Sequence, residues 1–217
     1  MADFSAQRTK MVDTQIRPSD VTKFPVIDAI LSVPREQFVP DTARESAYRD
    51  GPIPLGDGRA MLEARVFAKM LDAVDIQQDE LVLDLGCGLG YSAAVIARMA
   101  EAVVAVEEIE DLANEAETLL AAVDADNVAV VLGALVQGAA KHGPYDVAIL
   151  QGAVQEIPAA VTDSLKENGR IAAVFMEGAL GVCRIGRKTG NSVTWRDAFS
   201  ASATVLPGFE RPAEFQL

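Results

Sequence analysis

The segment Asp84-Leu85-Gly86-Cys87-Gly88-Leu89-Gly90-Tyr91 holds the residues best spaced for chemistry. Three glycines alternate behind a carboxylate. Glycine lets the main chain turn sharply and lets a ligand touch the backbone. A dinucleotide fingerprint reads G-x-G-x-x-G and, counted from Gly86, needs glycine where Tyr91 stands. The order here is D-x-G-x-G-x-G. A carboxylate at Asp84 would repel a pyrophosphate. It suits a ligand that carries an ammonium and a sulfonium, the charges of S-adenosyl-L-methionine. No G-x-x-x-x-G-K-[ST] phosphate loop occurs.

A second acid supports this reading. Glu107 follows the apolar run Ala102 to Val106, 21 residues after Gly86. A carboxylate at that strand end can accept both hydroxyls of an adenosine ribose. Its neighbour Glu108 leaves the assignment open by one position. Cys87 reads as a small residue packed under the loop and not as a nucleophile. Cys87 and Cys183 form no metal spacing. The single histidine, His142, sits beside Gly143-Pro144 in loop context, which disfavours zinc and triad chemistry.

Elements must position these groups. Leu81 to Leu85 is a short apolar run ending at glycines, as a buried parallel strand does. Further strands are predicted over Ala102 to Val106, Val128 to Leu132, Asp146 to Leu150 and Ile171 to Phe175. Helices are predicted over Tyr91 to Met99, Asp111 to Ala122 and Pro158 to Lys166, where Asn168-Gly169 stops the last. Strands alternating with helices imply a doubly wound parallel sheet. Cys183 to Phe199 reads as one or two antiparallel edge strands. Upstream, Val21 to Leu31 has helical spacing, and Pro34 and Pro40 break it. Gly51 to Gly58 reads as an ordered loop. Met61 to Val74 is predicted as a helix with Leu62, Val66, Met70 and Ala73 on one face. Leu206 to Glu210 is expected to pack back on the fold, with Phe209 and Phe215 as anchors.

Composition narrows the class. The chain has 217 residues, half of them apolar, and a formal charge of -13. That length buries a core without disulfides or metals. The acidic balance disfavours a nucleic-acid partner. No run approaches the roughly 20 apolar residues that cross a bilayer. The start lacks a signal-peptide pattern. The expected setting is cytoplasmic, with reduced thiols and no membrane partner. Oligomeric state is not legible.

The position after the fourth core strand reads Leu150-Gln151-Gly152-Ala153, without the [N/D]-P-P-[Y/F] loop of base-amino methyltransferases. Cys183 follows Val182, so the Pro-Cys of cytosine-C5 enzymes is missing. Val33 to Val39, Pro54-Leu55-Gly56-Asp57-Gly58, the glycine loop, Gly143-Pro144-Tyr145-Asp146, Glu156-Ile157-Pro158 and Leu165 to Arg170 instead resemble, in order and spacing, the protein-L-isoaspartate O-methyltransferase family. The resemblance covers roughly residues 8 to 190. It implies an α/β, Rossmann-like, doubly wound seven-strand sheet with an N-terminal helical segment. It implies a single domain, 1–217, with an acceptor-side segment over 1–78 and a cofactor-binding core over 79–217. The implied cofactor is S-adenosyl-L-methionine, and the implied acceptor is a damaged aspartyl carboxylate on a protein or peptide.

The predicted cofactor residues are Asp84, Gly86, Cys87, Gly88, Gly90, Tyr91, Glu107, Glu108, Ala134, Leu135 and Gln151. Two positions depart from the family. Its Q-T-I-S run is Arg59-Ala60-Met61-Leu62 here, so Leu62 stands at the serine. Its G-D-G run is Gly133-Ala134-Leu135. Arg59 and Arg65 are candidate substitute donors, each also read as part of a solvated helix face. Two alternatives follow: a methyltransferase for a less polar acceptor, with Met61 and Leu62 lining its pocket, or a cofactor-binding protein without turnover.

Overall fold

The computed structural model describes residues 3–211. The N-terminal part carries helices α1 (Phe4–Met11) and α2 (Phe24–Ser32), a two-stranded hairpin of β1 (Ile53–Gly56) and β2 (Arg59–Met61), and α3 (Ala64–Val74). The α/β part follows as β3 (Leu81–Leu85), α4 (Tyr91–Ala97), β4 (Ala102–Glu107), α5 (Glu110–Ala122), β5 (Val128–Leu132), β6 (Tyr145–Val154), α6 (Ala159–Asp163), β7 (Leu165–Glu177), β8 (Leu180–Thr189) and β9 (Ser192–Ser200).

The seven-stranded sheet runs β5-β4-β3-β6-β7-β8-β9. It is parallel from β5 through β7, and β8 and β9 add antiparallel hairpin pairings. Strands buried on both faces need predominantly apolar runs, which Ala102 to Val106 supplies throughout and Leu81 to Leu85 supplies apart from Asp84. The chain moves outward from β3 to β5 and then returns to β6. That reversal opens a crevice beyond the carboxyl ends of β3 and β6, where open α/β sheets bind ligands. One apolar cluster joins Met11, Ile30, Phe38 and Phe67 of the N-terminal part to Val95, Val147 and Val174 of the sheet layer. Arg170 fixes the far end of α3 by donating to the Val74 carbonyl at 2.7 Å and to both oxygens of Glu80.

Three expected elements change. Gly51 to Gly58 is not a loop: Ile53 pairs with Met61, and the chain reverses through Gly56, Asp57 and Gly58 in left-handed conformations. The pairing takes Met61 out of the expected helix, so α3 starts at Ala64 and Leu62 lies ahead of it. The helix predicted to reach Lys166 stops at Asp163, because the Ser164 carbonyl accepts from the Tyr145 amide and Leu165 enters the sheet. The tail packs as expected at Leu206 and Phe209, both buried. Phe215 lies outside the described residues. Among the described residues, no helix is long and apolar enough to cross a membrane.

Candidate active site

The glycine loop crosses the carboxyl end of β3. Gly86, Gly88 and Gly90 have φ of +81°, +57° and +92°, which side chains rarely adopt. Gly90 caps α4, and the Gly86 amide donates to the Val106 carbonyl at 2.8 Å. These bonds hold the loop against the end of β4.

Asp84 lies behind this loop and does not face open space. Ser92 Oγ donates to its Oδ2, and Gln151 Nε2 to its Oδ1, both at 2.6 Å. Burial pushes its carboxyl up to about 7 against the pull of those two donors. Its effect is to orient Gln151 and Ser92, one from β6 and one from α4, toward the same cavity. Cys87 is buried, and burial beside Asp84 raises its thiol well above the usual range. A thiol so suppressed is no nucleophile.

Of the two adjacent acids, Glu107 faces the loop. Its Oε2 accepts from the Gly88 amide at 2.8 Å. Its Oε1 accepts from the amides of Glu108 and Ile109 and from Arg59 Nη1 at 2.7 Å. Glu108 keeps 26% of its side chain exposed and lies 3.9 Å from Arg59. Ala134 and Leu135 follow β5. Leu135 is buried, and Ala134 borders an apolar groove with Val106, Val131 and Gly133.

Arg59 corrects the sequence reading. It sits on β2, not on a helix face, and its side chain is only 3% exposed. A Cβ built on Gly86 would lie 2.6 Å from Arg59 Nη2 and 3.3 Å from Leu206. A Cβ on Gly88 would lie 2.5 Å from Leu55 on β1. The cradle is therefore present and covered by the chain's own side chains. The remaining cavity over it, about 10 Å³, is at the lower limit for a single water. Arg65 is half-exposed and paired with Glu63, away from this cavity.

The N-terminal segment closes the site from the other side. Arg35 is buried and stacks over Tyr91 at 4.7 Å, and Tyr91 also meets Phe38 and Phe67. Arg35 donates to the carbonyls of Ala47 and Leu62 at 3.0 and 2.9 Å. Among the described residues, its Nη1 has no hydrogen-bond partner. In the sequence Arg35 stands out only as one member of the Val33 to Val39 motif. The signal that could have found it is a charged pair, Arg35-Glu36, held between Pro34 and Pro40 and flanked by apolar Val33, Phe38 and Val39. Leu62 is buried in the same cavity wall with Met61 and Ala60.

The protein-L-isoaspartate(D-aspartate) O-methyltransferase family model matches residues 6–199. A protein-L-isoaspartate O-methyltransferase of Syntrophus aciditrophicus is 35% identical over 171 residues, 79% of this chain and 78% of that one. One from Methylorubrum extorquens is 37% identical over 169 residues, 78% and 74% of the two chains. A solved protein-L-isoaspartate O-methyltransferase superposes with a TM-score of 0.80 at 23% identity, covering 93% of this chain and 66% of that one. A Plasmodium falciparum structure, described as such an enzyme in complex with S-adenosyl-L-homocysteine, gives 0.78 at 18% identity and covers 95% and 99%. These two structures bear out the seven-strand methyltransferase fold with its N-terminal helical segment. By the family match and the identity to its relatives, this chain belongs to the protein-L-isoaspartate(D-aspartate) O-methyltransferase family.

Proposed function

We propose that this chain acts as an S-adenosylmethionine-dependent O-methyltransferase on the carboxylate of isoaspartyl residues in proteins. The observation that carries the reading is the pairing of a left-handed glycine cradle with a buried strand-end carboxylate, Glu107, bonded to the cradle's own backbone. The polar groups fit the cofactor. Glu107 would accept the ribose hydroxyls. Gln151 and Ser92, oriented by Asp84, would line the end that carries the amino acid. Gly86, Gly88 and Gly90 would admit the ligand against the main chain, with Cys87 and Tyr91 as the loop's packed supports. Glu108, Ala134 and Leu135 would border the base, where the family aspartate is missing. The whole chain, 1–217, would work as one unit, its first 78 residues forming the acceptor side. The two free, buried thiols support a cytoplasmic setting.

When bound, the cofactor supplies an electrophilic methyl on a sulfonium. The acceptor carboxylate is already ionised near neutral pH, so the chain need hold no general base. Its residues contribute position and exclusion of water. Tyr91 and Phe67 seal one wall with apolar surface, and Phe38 packs on Tyr91 behind it. Leu62 and Met61 seal another.

Calorimetry with S-adenosyl-L-homocysteine tests the cofactor assignment. Gly86→Val puts a branched side chain at φ +81° against Arg59 and Leu206. The wild type should bind, and the variant should show at least a tenfold loss. Equal affinity for both, or tighter binding of NAD, would remove the loop from the site.

The acceptor is tested at Leu62. A leucine desolvates an incoming carboxylate without giving it a partner. Wild-type turnover on an isoaspartyl peptide should therefore be slower than a hydroxyl at position 62 would allow. Leu62→Ser restores a donor to a charged group, worth about 1.5–3 kcal/mol, or roughly tenfold or more in rate. Initial rates of methyl transfer to that peptide measure it. A second reading, a less polar acceptor, is favoured by the apolar wall of Met61 and Leu62. It gains if Leu62→Ser leaves the rate unchanged.

A further inference from the structure

Glu107 has a cationic partner, Arg59, where the family's own run carries an uncharged glutamine. Both of its oxygens are engaged, and the guanidinium of Arg59 is the one side-chain donor among those bonds. The other Arg59 nitrogen lies where a ligand would approach the Gly86 backbone. Leu55, on the neighbouring strand of the same hairpin, covers Gly88 in the same way. One hairpin thus covers two glycines of the cradle. Its reversal runs through Gly56, Asp57 and Gly58, all at positive φ and mostly exposed. Between β1 and β2 the pairing is short and its register shifts.

We propose that Arg59 is a specificity-determining residue that serves two anions in turn. In the free chain it pairs with Glu107 and holds the hairpin closed. Occupation of Glu107 by ribose hydroxyls displaces it. A buried guanidinium deprived of Glu107 keeps only Glu108, partly exposed and 3.9 Å away, and the acceptor carboxylate supplies a closer anion beside Leu62, three residues along the same stretch. Arg59 thereby enforces cofactor first and acceptor second. No covalent step is added, and the same ion pair is exchanged between partners. This role rests on the cofactor reading above.

Two quantitative consequences follow. A ligand that binds only the open hairpin has its affinity reduced by the open fraction, so an open population of about 1–10% weakens it by about ten- to a hundredfold. Removing the charge at position 59 removes that penalty. It also removes the cation that receives the acceptor. The two affinities must therefore move in opposite directions, which loss of structural support would not produce.

The experiment is calorimetry on the whole chain with S-adenosyl-L-homocysteine, and then with an isoaspartyl peptide in its presence and absence. Arg59→Gln should bind the nucleoside at least tenfold more tightly than wild type and the peptide at least tenfold more weakly. Arg59→Lys, which keeps the charge, should stay near wild type in both. Wild type should bind the peptide only when the nucleoside is present. Glu107 keeps three backbone amides in Arg59→Gln, so the variant is expected to fold. Hydrogen exchange on the unaltered chain is a second measurement. Saturating nucleoside should speed exchange across residues 55–61 while slowing it across 84–91. Nucleoside affinity in Arg59→Gln no tighter than wild type, or peptide binding indifferent to the nucleoside, overturns the role of Arg59 and leaves the cofactor reading standing. Absence of nucleoside binding to both wild type and Arg59→Gln overturns the cofactor reading and this role together.

Discussion

Glu107→Ala is expected to lower the melting temperature by between about 6 and 20 °C, from a loss of about 3–5 kcal/mol when one partner of a buried ion pair is removed from a domain of this size. The reason is an asymmetry between the partners. Glu107 has three backbone amides besides Arg59, and loses little charge stabilisation if Arg59 goes. Arg59 has Glu107 at 2.7 Å, and Glu108 only at 3.9 Å. Deleting Glu107 strands a guanidinium at 3% exposure and frees the Gly88 amide in the turn that shapes the cradle. The double variant Arg59→Leu with Glu107→Ala should recover part of the loss, since an apolar pair replaces a stranded charge while the three amides stay unpaired. Thermal unfolding followed by circular dichroism measures both. A single variant that melts within 2 °C of wild type would show that Arg59 is not held by Glu107 in solution.

The same pair shows where the sequence stops being legible. The core strands and the glycine loop could be read because each is written locally. A short, mainly apolar run ending at a glycine has few alternatives, and β3 and β5 fall where the runs predict them. Glu107 was legible because its position follows from the end of such a run. Arg59 was not. A polar residue between Gly58 and Ala60 looks solvated when the segment is taken for a loop or a helix start. Only the pairing of Ile53 with Met61, a contact between separate stretches, turns it inward. Pro54 and three nearby glycines masked that strand, since proline and glycine are both poor strand residues. Asp84 was placed in the right segment but given a direct role. Its burial and the two donors that consume its oxygens are tertiary facts, and they make it a support for Gln151 and Ser92. Helix α1 carries few apolar residues, so its pattern gave no signal, although Asp3 caps it by accepting from the Ala6 amide at 3.0 Å.

Ending the chain after Thr204 is expected to cost at least about 5 kcal/mol of stability, because it deletes two buried side chains whose single truncations typically cost about 2–5 kcal/mol for leucine and 3–5 kcal/mol for phenylalanine. Phe209 is fully buried against the cluster that includes Tyr145, Val154 and Val161. Its carbonyl accepts from the amides of Gln155 and Glu156 at 2.8 and 3.1 Å, so the end of β6 loses its acceptor as well. Leu206 fills a different place. A Cβ on Gly152 would lie 2.6 Å from it, and it also covers Gly86. The Leu206 amide donates to the Ala153 carbonyl at 2.8 Å, so the tail runs beside the carboxyl end of β6, next to the candidate site. The two residues can be separated by measurement. Phe209→Ala should lower the melting temperature, and added S-adenosyl-L-homocysteine should raise it by the same increment as in wild type. Leu206→Ala removes part of the cover over Gly86, so the same nucleoside should raise its melting temperature by a larger increment. A chain ended at Thr204 that melts within 2 °C of the full chain would mean the tail does not hold this position in solution. Equal increments in the two point variants would confine Leu206 to packing, with no part in covering the cradle.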